Sequence, residues 1–235
     1  MTEPKHNSSR RVFVKQAAAL SLLTAGGTFG FSSCISNKTG GKRKELEEAG
    51  PMLPPVPAVL LTAKGTSERP DEISVVWSFV LEGKPPQVGI SVHKDQVVGD
   101  LVKKHKEFVL NVPVADIVKQ FDIVDMNSTK ILDKFELSGL SRGQAMKVDA
   151  PVVVESPIHL ECKVINIVDI KPYRTLFIAE VVATTVLEGV CDKDGKLIVD
   201  DTPFFGMTSG SGEFYTMGEK VGRIGMSVGR TDIKY

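Results

Sequence analysis

The sequence predicts a mainly β fold, a single barrel domain with a few helices at its edges. Six runs rich in β-branched residues carry that reading: AVLLTA (58–63), ISVVWSFV (73–80), QVGISVH (87–93), FVLNVPV (108–114), IHLECKVINIVDI (158–170) and RTLFIAEVVATTVL (174–187). Glycine, proline and charged turns separate them. The two longest alternate over part of their length, with Leu160, Cys162, Val164 and Ile167 set among polar neighbours. Strands of a barrel wall with one dry face have that pattern. No strand-helix alternation of the doubly wound kind and no internal repeat occurs.

Helical pattern is confined to three pieces, at 96–106 (QVVGDLVKKHK), 115–125 and 130–136, the last leading into a turn at Gly139. Asp95 stands where a side chain could cap the first of them. Asp194-Gly195 in DKDGKL predicts a hairpin turn.

The chain has 235 residues, and its 42% apolar content is enough for a real core. Lysine plus arginine equals aspartate plus glutamate at 29 each, so no basic excess exists to neutralise a nucleic acid backbone. Cys34, Cys162 and Cys191 form no CxxC pair, which argues against a disulfide framework or a structural zinc site. With Cys34 set aside, a Cys162 to Cys191 bridge is the one pairing left, and two unpaired thiols are the expectation. The glycine cluster GMTSGSG (206–212) lacks the lysine of a phosphate loop, and Tyr215 stands where a dinucleotide fingerprint needs its third glycine. The four histidines include no HExxH, and no GxSxG elbow is present. Metal-enzyme and hydrolase readings therefore lack support. His159 and Cys162 read as structural, Cys162 as a small buried residue. Glu180, between apolar neighbours, is left open between a paired and an exposed state.

Residues 1–34 have the three-part order of an export signal: a polar, basic start, the short apolar run QAAALSLLTAGGTFGF (16–31), then Ser-Ser-Cys. The run is too short and too glycine-rich for a comfortable membrane span. Ser9-Arg10-Arg11-Val12-Phe13-Val14-Lys15 resembles the twin-arginine consensus, an address read by a receptor. That resemblance implies export in the folded state and an outer, periplasmic or membrane-anchored location. Cys34 has two readings, a lipidated first residue of the mature chain or an incidental cysteine beside a signal cut nearby; Phe31 stands where a lipobox usually has leucine. Residues 35–56 are charged and rich in glycine and proline, as a linker is. The domain is expected over 57–235.

One ordered set of motifs resembles a known family. PVPAVLLTA, ISVVWSFVLEGKPPQVGISV, EFVLNVP, STKILDKFE, APVVVESPIHLECKV, TLFIAEVV and GEFYTMGEKVGRIG follow the order and spacing of the flavin reductase-like, flavoredoxin-type proteins over 57–228. The resemblance implies a split β-barrel of Greek-key type that binds flavin mononucleotide (FMN) without a covalent bond, usually as a homodimer. It also implies electron transfer between NAD(P)H or a redox protein and the flavin, with no obligatory catalytic side chain. A non-catalytic flavin or small-ligand binder on the same barrel is the alternative.

The resemblance further assigns candidate cofactor residues. Ser74, Val75, Trp77 and Ser78 belong to the strand expected along the flavin ring, although Trp77 could equally be a core aromatic and the serines could face solvent. Ser91, His93, Lys94 and Gln96 form the expected phosphate turn and helix start, where amides and the helix dipole suit a dianion. Ser128 and Lys130 match the family's basic segment before DKF. For His93, Lys94 and Lys130 the competing reading is a solvated loop. The sequence departs from the family at Gln96, where arginine is common, at Val98, where serine or threonine is, and at Arg174, where histidine is.

Overall fold

A computed structural model describes residues 43–127, 133–209 and 211–230. The chain divides into two units, Met1–Ala49 and Gly50–Tyr235. In the first, the described residues 43–49 are exposed and form no helix or strand.

In the second unit a seven-stranded antiparallel sheet dominates. In chain order its strands are β2 (Leu60–Ala63), β3 (Glu72–Val75), β4 (Trp77–Gly83), β5 (Pro86–His93), β6 (Glu107–Val112), β9 (Ile158–Ile170) and β10 (Arg174–Val186). In space they run β3-β2-β6-β9-β10-β5-β4. A small sheet joins β1 (Val56–Pro57), β11 (Phe205–Met207) and β12 (Phe214–Thr216), and a two-stranded ladder pairs β7 (Arg142–Gly143) with β8 (Val152–Val153).

Five of the six β-branched runs each become one strand. ISVVWSFV does not: it divides into β3 and β4, which lie at opposite edges of the sheet with Val76 alone between them. A flat seven-stranded sheet would hold its edges roughly 29 Å apart, whereas one extended residue spans about 3.3 Å. The sheet must therefore curl until its edges meet at Val76, and this near-closure makes the barrel. The fold is mainly β, a split barrel as expected.

Two cores result. Inside the curl, Val88, Ile90, Val92, Phe108, Cys162 and Phe177 pack with α1 (Val97–His105), the helix expected at 96–106. Outside it, Leu60, Ile73 and Val75 pack under α2 (Val118–Met126) and α3 (Lys134–Ser138). The piece expected at 115–125 starts as a 3-10 turn at Ala115–Ile117 before continuing as α2. Phe121, Phe205 and Phe214 meet edge to face there, at centroid distances of 5.3 to 5.8 Å. Helix α3 is short but well bracketed: the Asp133 carboxylate accepts from the Phe135 and Glu136 amides, and Gly139 at φ 75° ends it.

The Asp194-Gly195 turn forms as expected, with Gly195 at φ 75° and an antiparallel bridge from Cys191 to Leu197. Both described cysteines are free thiols. Cys162 is fully buried, and that burial, with the Glu161 carboxylate adding to it, pushes its thiol pKa up to about 12. His159 is structural too. Its ring nitrogens contact the Thr185 hydroxyl at 3.0 Å and the Val153 carbonyl at 2.9 Å.

Candidate functional site

The seam opens into a cleft of about 430 Å³, within the usual size range of ligand sites. One wall is the seam backbone, Val75 to Trp77; another is the turn from His93 to Gln96 that starts α1. Arg174 from the start of β10 and Lys134 from α3 complete the charged lining, together with Asp125 at the end of α2.

Gln96 holds two of these walls together. Its side-chain Oε1 accepts from the His93 amide at 3.1 Å, and its Nε2 donates to the Val75 carbonyl at 3.1 Å. Both ends of the amide are spent on backbone, and Gln96 is itself the N-cap of α1 without capping it through its side chain. The nine-residue helix thus starts at the cleft, since its N-cap residue Gln96 lines it, with no side-chain cap at the positive end of its dipole. Asp95 is not the cap that its position suggested. Its own amide donates to His93 Nδ1 at 3.3 Å, and its carboxylate lies 3.6 Å from the same nitrogen.

The residues expected around a flavin separate into three groups. Val75, Trp77, His93 and Gln96 line the cleft, and Trp77 is 42% exposed, not a core aromatic. Ser74, Ser78, Ser91 and Lys94 are not among the residues that line it. Strand β3 is buried along its whole length, so Ser74 turns inward, and its hydroxyl donates to Glu72 Oε1 at 3.3 Å. Successive residues of a strand face opposite ways; with Trp77 on the cleft wall, Ser78 takes the other face. Ser91 contributes its carbonyl, which accepts from Arg174 Nη1 at 3.1 Å. Lys94 points to the β9–β10 hairpin, where its Nζ lies 2.6 Å from Asp169 Oδ1. That contact holds the Asp169 carboxyl below its ordinary range. Ser128 and Lys130 lie outside the described residues. Val98, fully buried in the inner core, has no polar side-chain atom to offer the cleft.

Sequence reasoning missed Lys134. Only 5% of its side chain is exposed, and its Nζ lies 3.9 Å from the equally buried Glu72 carboxylate. Burial pushes its ammonium below the ordinary lysine value, while the Glu72 and Asp125 carboxylates pull it back. The legible signal was DKFELSG (133–139), in which a capping aspartate and a terminating glycine bracket one short helix. Lys134 is its first residue.

Arg174 is placed with equal care. Its guanidinium carbon lies 3.7 Å from the centroid of the Trp77 ring, a cation-π stack across β5. Burial lowers its pKa from the ordinary arginine value. Among the described residues no carboxylate lies within ion-pair distance of it.

Relatives and solved structures agree with this architecture. An uncharacterized protein of Archaeoglobus fulgidus is 29% identical over 129 residues, which cover 55% of this chain and 71% of that protein. The solved flavoredoxin of Desulfovibrio vulgaris (Miyazaki F) superposes with a TM-score of 0.71 at 24% identity, covering 77% of this chain and 97% of its own. The FMN-binding protein from Thermus thermophilus, solved with bound 1-cyclohex-2-enone, gives 0.64 at 18% identity over 78% and 97% of the two chains. At such identities the structural likeness concerns the fold. The sequence match is more specific: residues 54–202, more than half of the chain, fit the family described as flavin reductase like domain. The chain belongs to that flavin reductase-like family.

Proposed function

We propose that the seam cleft holds FMN without a covalent bond, and that the protein is an exported oxidoreductase or electron carrier working between NAD(P)H or a redox protein and that flavin. The observation that carries this reading is the cleft, walled by the Val75–Trp77 backbone and the uncapped start of α1 in a chain of this family. The donor set fits the cofactor. First-turn amides of a helix suit a phosphate dianion, Lys134 adds a cation on the cleft wall, and the seam strand offers backbone groups along a ring edge.

A bound flavin would supply the redox chemistry. The chain's own residues do the rest: Gln96 fixes the distance between seam and helix start, Lys134 offsets negative charge, and Trp77 shields one end of the cleft. The edge strand β4 leaves Phe79, Val80 and Leu81 exposed. That exposed apolar edge, which a second copy would cover, supports the homodimer reading. The twin-arginine motif at Arg10-Arg11 supports export, and Cys34 is the candidate lipid anchor.

The test is the visible spectrum of the protein as purified, followed by reconstitution with FMN and by size determination in solution. A folded protein that shows no flavin absorbance and takes up no FMN refutes the reading.

One observation favours a second reading, a flavin or small-ligand binder without turnover. The phosphate turn supplies no donor from Gln96, whose amide is spent on backbone, and none from Val98. Steady-state oxidation of NADH or NADPH with added FMN separates the two: turnover supports the enzyme, and bound flavin without turnover supports the binder.

A further inference from the structure

Arg174 is anchored on two sides. Nη1 donates to the Ser91 carbonyl at 3.1 Å, and the guanidinium carbon lies 3.7 Å from the Trp77 ring centroid. The strand register explains how: Arg174 pairs with His93 on β5, and Trp77 pairs with Ser91 on the far side of β5. The arginine therefore reaches diagonally over one strand to the cleft wall. A long side chain so tethered has already lost most of the conformational freedom that ligand binding would otherwise remove.

Its charge is not similarly satisfied. A guanidinium carries five donors in a rigid fork, and the hydrogen bond to the Ser91 carbonyl uses one of them. No carboxylate lies within ion-pair distance of it among the described residues, although Lys64, Lys94, Lys103, Lys134 and Arg142 each have one. Arg174 nevertheless lines the cleft and is only half exposed. Keeping a cation partly desolvated without a counter-ion costs free energy, and an anionic ligand at that spot would recover it.

We infer that Arg174 is a specificity residue, selecting among donors or acceptors of the cleft those that carry a carboxylate, sulfonate or phosphate and placing that anion beside Trp77. The inference rests on the flavin reading for the identity of the cleft. It does not rest on it for the charge preference, because the anchoring contacts are within the protein. The anion belongs either to a nicotinamide dinucleotide or to a smaller planar acceptor.

The experiment is calorimetric titration of the FMN-loaded protein with two matched pairs of oxidised probes, so that no electrons move. NADP+ and NAD+ differ by one phosphate; 1,4-naphthoquinone-2-sulfonate and 1,4-naphthoquinone differ by one sulfonate. Wild-type protein should bind the anionic member of at least one pair about tenfold more tightly than its parent, as one charge-assisted contact gives. Arg174→Gln should abolish that ratio, and Arg174→Lys should keep part of it. The responding pair identifies the source of the anion. Equal affinities within both pairs for wild type, or a ratio that survives in Arg174→Gln, overturns the inference. Flavin content is read from the visible spectrum first. If no flavin binds, the flavin reading fails by itself, and the same titrations on the flavin-free barrel still decide the charge preference.

Discussion

The carbonyl of Val75, the last residue of one sheet edge, accepts a 3.1 Å hydrogen bond from the side-chain amide of Gln96, the residue that starts α1. Through this contact and the one from the His93 amide to Gln96 Oε1, the seam of the barrel and the turn beside it behave as one piece. Gln96→Ala should cost about 2 kcal/mol in urea unfolding, from two lost hydrogen bonds to backbone groups that are partly buried. It should also weaken FMN retention several-fold. Gln96→Glu should keep the His93 contact while turning a carboxylate toward the Val75 carbonyl, and its FMN loss should exceed that of the alanine variant.

Lys134 and Glu72 form a buried pair, so removing Lys134 takes away the cation that faces the Glu72 carboxylate. Lys134→Met should destabilise the protein by about 3 kcal/mol, measured by urea unfolding. The double variant Glu72→Gln with Lys134→Met should recover much of that stability, because no uncompensated charge remains. FMN affinity should stay low in both, since the Lys134 charge on the cleft wall is gone. A double variant with restored affinity would separate Lys134 from ligand binding.

Cys162 makes the barrel sensitive to alkali. Its folded pKa, about 12, stands above the ordinary 9.0, so the native state holds its proton where the unfolded chain has lost it. The contribution is fully present below pH 9 and is lost as pH rises from there through about 12. Urea midpoints should therefore fall over that window in wild type and fall less in Cys162→Ala. At pH 8, thiol reagents should modify the half-exposed Cys191 and leave Cys162 untouched in the folded barrel.

Asn111 is fully buried and saturated. It donates to the Leu60 carbonyl at 2.9 Å and to the Thr62 hydroxyl at 3.1 Å, and its Oδ1 accepts from the Val153 amide at 2.8 Å. It thereby joins β2, β6 and β8. Asn111→Leu should lose about 2–3 kcal/mol by leaving the Val153 amide without its partner. Hydrogen exchange at Val153 should accelerate more than exchange in β9.

Much of the architecture was legible because it is local. The runs at 158–170 and 174–187 end within a residue of β9 and β10, since β-branched residues between turn signals leave little choice of conformation. The helix at 96–106 and the hairpin at Gly195 are equally short-range. The flavin family was legible from ordered motifs, and so was the region of the cleft.

The site residues were less legible, for a definite reason. Ser74 and Trp77 look alike in a continuous strand, each a plausible wall residue. Strand period determines only which side chains share a face, not which face a curled sheet buries. Lys94 looked as available as His93 until the β9–β10 hairpin brought Asp169 to it.

By itself the sequence determined where most strands and turns form, because propensity and side-chain period act over a few residues. Only the tertiary structure decided that one run would break at Val76 and join opposite edges of the sheet. It also decided that Gln96 would bind that seam, that Lys134 would be buried on the cleft wall, and that Arg174 would reach across β5 to Trp77. Those outcomes depend on sheet closure, which brings together groups far apart in the chain and sets their exposure by a geometry that no local pattern encodes.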